Sequence, residues 1–167
     1  MNNALKYDLQ RLLARVQPQS LLLVGEGAYR LGAGYLSEHP DCAWTQAHDL
    51  EQLIAANAEQ PYDLALVVDA LEHTDKSEAL AMLARLRDVL SRQVIVVVPV
   101  GETVPGSASS WVAEDLIAMG MYRAGLYEEE RRTLHVYCFD LYDYKPTPDW
   151  LNARYWAHPE LFDKYWW

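Results

Sequence analysis

The chain has 167 residues, of which 51% are hydrophobic and 23% are charged, and its formal net charge is -10. This length and composition suit one domain with a sizeable core, residues 1–167, and argue against wholesale disorder. The acidic balance repels phosphate backbones and anionic lipids, and no apolar run approaches the ~20 residues that span a bilayer, so we expect neither nucleic acid nor membrane as a partner.

The first predicted elements are a helix, a buried strand and a turn. The N-terminal residues place leucines on one side of an amphipathic helix, which ends at or before Pro18. Ser20–Val24 is continuously apolar, as expected for a strand that is covered on both faces. Gly25, Glu26 and Gly27 form a tight turn after it. Such a turn is common, and it indicates a ligand pocket only together with the order of the other elements.

Shorter elements are predicted between this turn and the next apolar run. Residues 28–36 are compatible with a helix, although two glycines disfavour it. Residues 42–45 form a short candidate strand, and Asp49 then caps a helix that extends to about Ala58.

A polar corner follows the next predicted strand, residues 64–68. Asp69, Glu72 and His73 lie at its carboxyl end, where binding groups collect in parallel sheets. If the corner is helical, Asp69 and His73 share one face at i, i+4, and a histidine near a carboxylate can act as a general base near neutral pH. The alternative is structural: Asp69 satisfies loop amides, and His73 caps or packs against the following helix.

The remaining chain completes the predicted sheet. An amphipathic helix over residues 75–90 leads to a second buried strand, residues 94–98. Residues 122–127 and 134–141 are predicted to be antiparallel strands joined by the charged turn EEERR. The aromatic C-terminal extension, residues 145–167, is predicted to pack on its own domain, because burying its tryptophans and tyrosines is favourable. A lid over a pocket and a homodimer contact are the alternatives.

The cysteines and the N-terminus give the expected compartment. Cys42 and Cys138 are far apart in sequence and match no metal or redox spacing. The N-terminus lacks the charged start, compact apolar block and cleavage site of a signal peptide. We therefore expect buried thiols, no metal site and a cytoplasmic location.

This order of elements resembles the class I S-adenosylmethionine-dependent methyltransferase fold. LLLVGEG is similar to the first motif of that family, a strand with a glycine turn that approaches the amino-acid part of the cofactor. YDLALVVDALEH is similar to its fourth strand and the following corner, and LRDVLSRQVIVVVPV is similar to the helix and fifth strand that come next. The resemblance implies an α/β fold, a Rossmann-like three-layer sandwich whose mainly parallel sheet has an antiparallel C-terminal edge.

The resemblance also implies a binding site for S-adenosylmethionine. The residues that it assigns to the cofactor are Gly25, Glu26, Gly27, Asp49, Asp69 and Ala70. His73 is the candidate catalytic base. We predict that the cofactor-binding residues line one cleft at the carboxyl ends of the strands.

The sequence also departs from the family. Leu23 stands where an acidic residue usually precedes the first glycine by two positions, and Tyr29 replaces the third glycine, where its side chain would crowd a close backbone approach. The interval from Gly27 to Asp63 is short, so about one strand–helix pair is lost or reduced. The acid that normally holds the ribose hydroxyls, at the end of the second strand, has no clear counterpart. Residues 48–50 instead resemble the later acidic loop that lies against the adenine.

Two classes of function remain open. One is methyl transfer from S-adenosylmethionine to an unknown acceptor, which is a small molecule or a protein. The other is a non-catalytic descendant of the fold that acts as a binding or protein-partner module. Leu23, Tyr29 and the missing ribose acid favour the module, whereas the preserved corner from Asp69 to His73 favours the enzyme.

Overall fold

A computed structural model of the protein describes residues 3–55, 60–101, 106–129 and 132–141. The aromatic extension, residues 145–167, lies outside the described residues. Its packing on the domain therefore stays a prediction. No helix in the described part of the chain is long and apolar enough to cross a membrane.

Strands and helices alternate along most of the described chain. The N-terminal elements are α1 (Asn3–Val16), β1 (Ser20–Val24), α2 (Glu26–Glu38), β2 (Ala43–Ala47), α3 (Leu50–Ala55) and β3 (Tyr62–Val68). The C-terminal elements are a 3₁₀ turn (Leu71–His73), α4 (Lys76–Arg85), a π-helical turn (Leu86–Leu90), β4 (Ser91–Pro99), α5 (Ala113–Ala118), β5 (Tyr122–Glu129) and β6 (Arg132–Asp140).

The strands form one mixed sheet in the order β2-β1-β3-β4-β6-β5. The pairs β1–β2, β1–β3 and β3–β4 are parallel, so the carboxyl ends of these four strands share one edge of the sheet. The pairs β4–β6 and β5–β6 are antiparallel. The predicted parallel sheet with an antiparallel C-terminal edge is therefore confirmed.

The sheet is also shortened where the sequence predicted. In the described residues between β1 and β3, the structure has one strand, β2, and two helices, α2 and α3. Only residues 56–59 of this interval are undescribed. The described residues of this interval thus contain one strand and two helices.

Apolar side chains cover both faces of the sheet, which gives three layers. Alternate residues of one strand point to opposite faces. Leu21 and Leu23 lie in the cluster with α1 and α2, whereas Leu22 and Val24 lie in the cluster with α3, α4 and α5. All four side chains are fully buried. The continuous apolar run of β1 therefore follows from burial on both faces, as predicted.

Candidate functional site

The glycine turn after β1 is held between the ends of the two neighbouring strands. Gly25 has φ 88°, a conformation that favours glycine, and its amide donates to the Ala47 carbonyl at the end of β2 (3.1 Å). A side chain at Gly25 would collide with the Val68 carbonyl oxygen and would lie 2.9 Å from the Ala70 Cβ. Close packing against the end of β3 thus explains why this position is glycine. The same packing brings the turn after β1 next to the corner after β3.

Asp69 turns back toward the start of α2. Its φ is 52°, a left-handed conformation that aspartate tolerates better than most residues. Its Oδ2 accepts a hydrogen bond from Arg30 Nη2 (2.9 Å), and a Cβ on Gly27 would lie 2.5 Å from the same oxygen. The structure therefore brings the glycine turn, Asp69 and Ala70 together at the carboxyl edge. Glu26, the first residue of α2, is exposed beside them.

Asp49 lies beyond the carboxyl end of β2 and begins α3. Its Oδ1 accepts a hydrogen bond from the Gln52 amide (2.8 Å), which confirms the predicted helix cap. The sequence interpretation left the end of the second strand without an acid and assigned residues 48–50 to a later loop. This interpretation is wrong in position, because β2 is the second strand of the chain and Asp49 comes two residues after it.

The two departures near the glycine turn both have packing explanations. Leu23 is fully buried, and a Cβ on Gly32 of α2 would lie 3.2 Å from its Cδ2. The ring of Tyr29 lies 5.6 Å from that of Trp44, centroid to centroid. Trp44 is the second residue of β2, so the tyrosine ring points away from the carboxyl edge. The predicted crowding of the turn by the Tyr29 side chain is therefore wrong.

The corner after β3 is not α-helical, so the condition for Asp69 and His73 to share one helix face is not met. A 3₁₀ turn spans Leu71–His73, and Asp69 precedes it, with its carboxylate bonded to Arg30 and not paired with His73 at i, i+4. The His73 side chain is exposed, and its amide donates to the Ala70 carbonyl (3.2 Å). The candidate base therefore lies at the rim of the edge.

Glu72 is the buried carboxyl group of this corner. Its side chain is 2% exposed, and neither carboxyl oxygen accepts a hydrogen bond from another residue in the described part of the chain. The nearest cation is Arg132, whose Nη1 lies 3.9 Å from Oε1. Burial raises the pKa of the Glu72 carboxyl, and the charge of Asp69 raises it further, whereas a backbone hydrogen bond and the charges of His73 and Arg132 oppose the shift.

Arg132 joins the corner to the antiparallel edge. It donates to Glu129 Oε2 (3.0 Å) and lies 3.9 Å from Asp69 Oδ1. The loop after β4 covers the corner from the other side, since the amides of Ala108 and Ser109 donate to the Glu72 carbonyl (2.7 and 3.2 Å). No three histidine, cysteine, aspartate or glutamate side chains within the described ranges could hold a metal ion.

Sequence reasoning did not find the two arginines of this site. The sequence places Arg30 in a candidate helix and Arg132 in a charged turn, without a role at the site. It places Glu72 in the polar corner but does not distinguish it from Asp69 and His73. The available signal is the cluster of acidic and basic residues at 128–132, since the fold brings Arg132 to within 3.9 Å of Glu72.

The chain matches the model of a family of unknown function, DUF6231, over residues 3–167, and it belongs to this family. No curated protein matches the sequence.

Solved structures, a named methyltransferase among them, share the fold at low sequence identity. The N-terminal domain of EvdMO1, in the presence of SAH and D-fucose, is 12% identical with a TM-score of 0.52, and 83% of each chain is covered. Magnesium protoporphyrin IX methyltransferase from Synechocystis PCC 6803, with bound SAH, is 14% identical with a TM-score of 0.52, covering 80% of this chain and 81% of that one. TehB from Haemophilus influenzae is 8% identical with a TM-score of 0.53, covering 80% and 61%. The fold is methyltransferase-like.

Proposed function

We propose that this member of the DUF6231 family binds S-adenosylmethionine at the carboxyl edge of its sheet and transfers the methyl group to a small-molecule or protein acceptor. One observation carries the proposal: the glycine turn, Asp49 and Asp69 follow three adjacent parallel strands and lie at one edge. Two of the solved structures with this fold contain SAH, the demethylated cofactor. Ligands of open parallel sheets bind at this edge.

The residues at the edge suit the parts of the cofactor. The turn of Gly25, Glu26 and Gly27 presents backbone close to the strand ends, where the amino-acid part would approach. Asp49 uses Oδ1 for the helix cap, which leaves Oδ2 to accept from ribose hydroxyls. Asp69 and Ala70 form the opposite wall of the cleft. These are the roles that we assign to the predicted cofactor residues.

The transfer step needs alignment of the acceptor with the methyl group. When bound, S-adenosylmethionine supplies an electrophilic methyl group on sulfur. The chain would contribute mainly orientation, which lowers the barrier by holding the reactants in line. His73 is exposed at the rim, where its ring could take a proton from the acceptor. The acidic net charge supports a small-molecule or protein partner over nucleic acid, and a cytoplasmic location and a homodimer remain part of the proposal.

A non-catalytic module is the second candidate, and one contact favours it. Asp69 already binds Arg30 at 2.9 Å, so its carboxylate is partly satisfied within the chain. A module that binds a protein partner would need neither Asp69 nor the glycine turn for a ligand, because packing against β3 explains both glycines.

Titration calorimetry with S-adenosylmethionine and SAH separates the two candidates. The matched variants are Asp49→Asn, which keeps an oxygen for the helix cap, and Asp41→Asn, which makes the same charge change at the exposed amino end of β2. We expect Asp49→Asn to weaken binding by about tenfold, since hydrogen bonds to a charged acceptor contribute about 1.5–3 kcal/mol. Asp41→Asn should bind like the wild type. If millimolar S-adenosylmethionine and SAH give no binding heat, the methyltransferase proposal is wrong and the non-catalytic binding module is the better hypothesis.

A further inference from the structure

We propose that the Glu72 carboxylate is the receptor for a primary ammonium group of a ligand that binds at the carboxyl edge of the sheet. The group could belong to the amino-acid part of S-adenosylmethionine or to an ammonium substituent of the methyl acceptor. Both of these sources rest on the proposed function. The ammonium site itself does not depend on that function, because it follows from the unpartnered carboxylate.

The charged groups around Glu72 make hydrogen bonds with one another but not with the Glu72 carboxyl group. Asp69 accepts from Arg30 at 2.9 Å, and Glu129 accepts from Arg132 at 3.0 Å. The remaining distances from Arg132, to Glu72 and to Asp69, are both 3.9 Å, which is longer than a hydrogen bond. Among these groups, the buried Glu72 is therefore the carboxyl group that receives no hydrogen bond from another residue in the described ranges.

Neither protonation state of Glu72 is satisfied by the described residues. An ionised carboxylate needs donors, and a protonated one needs an acceptor for its O–H, yet neither oxygen has a partner among them. Burial favours the neutral form, and a native protein rarely leaves such a group unpaired without a functional reason. A primary ammonium group offers three donors and one positive charge. It would donate to the oxygens and pair with the ionised carboxylate, whereas a neutral hydroxyl group would do only the first.

The position of Glu72 makes it reachable from the proposed cleft. Asp69, three residues earlier, packs against Gly27 of the glycine turn. The side chains of Asp69 and Arg132 that flank Glu72 are 27% and 28% exposed. Glu72 is therefore buried beside two charged side chains that both reach solvent.

A carboxyl NMR titration tests the ammonium site directly. Glutamate carboxyl carbons are labelled with ¹³C, and the Glu72 signal is assigned by its loss in Glu72→Gln. The probes are n-butylammonium, n-butanol and Mg²⁺. We expect n-butylammonium to move the Glu72 signal toward the ionised position and n-butanol to leave it in place. The control Glu38→Gln, at the exposed end of α2, should respond like the wild type. No movement with n-butylammonium, or an equal response to n-butanol or Mg²⁺, would overturn the site.

Calorimetry then identifies the source of the ammonium group. SAH carries the amino-acid part, and 5′-methylthioadenosine lacks it. If the group belongs to the cofactor, Glu72→Gln weakens SAH binding at least tenfold and leaves 5′-methylthioadenosine unchanged. If it belongs to the acceptor, SAH binds both proteins equally and n-butylammonium still moves the Glu72 signal in the SAH complex.

The two proposals fail in distinguishable ways. If SAH does not bind to the wild type, the cofactor proposal fails, and the n-butylammonium titration alone decides the ammonium site. If SAH binds wild type and Glu72→Gln equally and n-butylammonium leaves the signal unmoved, the ammonium site is overturned and the cofactor proposal stands. Amide spectra of Glu72→Gln establish that the variant is folded before either comparison is made.

Discussion

Replacing Glu72 by methionine should stabilise the free protein. The substitution keeps the length of the side chain and removes two buried oxygens that lack hydrogen-bond partners among the described residues. A buried polar group without a partner costs about 1–3 kcal/mol. The attraction to Arg132 that is lost acts over 3.9 Å to a partly exposed side chain and is worth about 0–1 kcal/mol. The expected gain is about 1–2 kcal/mol, which raises Tm by about 2–4 °C per kcal/mol for a domain of this size.

The stability that Glu72→Met gains over the wild type should also increase with pH. Burial raises the pKa of Glu72 above its ordinary value of 4.5, so the folded protein holds this proton more tightly than the unfolded chain. The wild type is then most stable, as far as this group is concerned, below about pH 4.5 and loses stability as pH rises toward the raised pKa. Methionine does not titrate. The advantage of the variant should therefore grow with pH over this window and then level off.

Urea unfolding of both proteins between pH 4 and pH 8 measures this difference. The control Glu38→Met changes an exposed glutamate and should stay within about 0.5 kcal/mol of the wild type at each pH. A Glu72→Met variant that is less stable than the wild type would show that Glu72 has a stabilising partner after all. An advantage that does not change with pH would refute the raised pKa.

Two further substitutions test the packing of the edge and of α1. Gly25→Ala and Gly106→Ala both place alanine at φ 88°, but only at Gly25 would the new Cβ meet other atoms, so Gly25→Ala should cost about 1–3 kcal/mol more in urea unfolding. Equal costs would mean that the contact with β3 relaxes freely. Tyr127→Phe removes the 2.8 Å hydrogen bond to Asp8 of α1 and should cost about 0.5–1.5 kcal/mol below pH 10. Burial and Asp8 raise the pKa of Tyr127 to about 12, so the contribution of this hydrogen bond to stability should fade from pH 10 to 12. A spectrophotometric titration of the tyrosines checks this. If the variant lacks none of the tyrosines that ionise late in the wild type, the raised pKa of Tyr127 is contradicted.

The fold was predictable because its strands carry a strong local signal. Ser20–Val24 and the apolar runs of β3 and β4 are buried on both faces, so they contain few polar interruptions. The antiparallel pair β5–β6 was predictable from its charged turn. The glycine turn and Asp69 could be placed at one edge by topology alone, since parallel strands share their carboxyl ends.

The parts that failed depend on contacts between distant residues. The role of Asp49 changed because the sequence alone does not show that the strand before it, β2, pairs with β1 in the sheet. Arg30 and Asp69 are 39 residues apart, and their bond exists only once α2 lies over the end of β3. The direction of Tyr29 likewise depends on Trp44 in a neighbouring strand. No local pattern contains this information.

The departures from the methyltransferase family do not by themselves indicate a lost function. Leu23 fills the core beside α2, and Tyr29 lies against β2, so neither residue blocks the edge. The better argument for a lost ligand site is the hydrogen bond between Arg30 and Asp69. A ligand at this carboxylate would have to compete with an arginine at 2.9 Å. Against a lost site stands Glu72, since a buried carboxyl group without a hydrogen-bond partner from another described residue costs stability. A cationic ligand at Glu72 would offset this cost, as the proposed ammonium site requires.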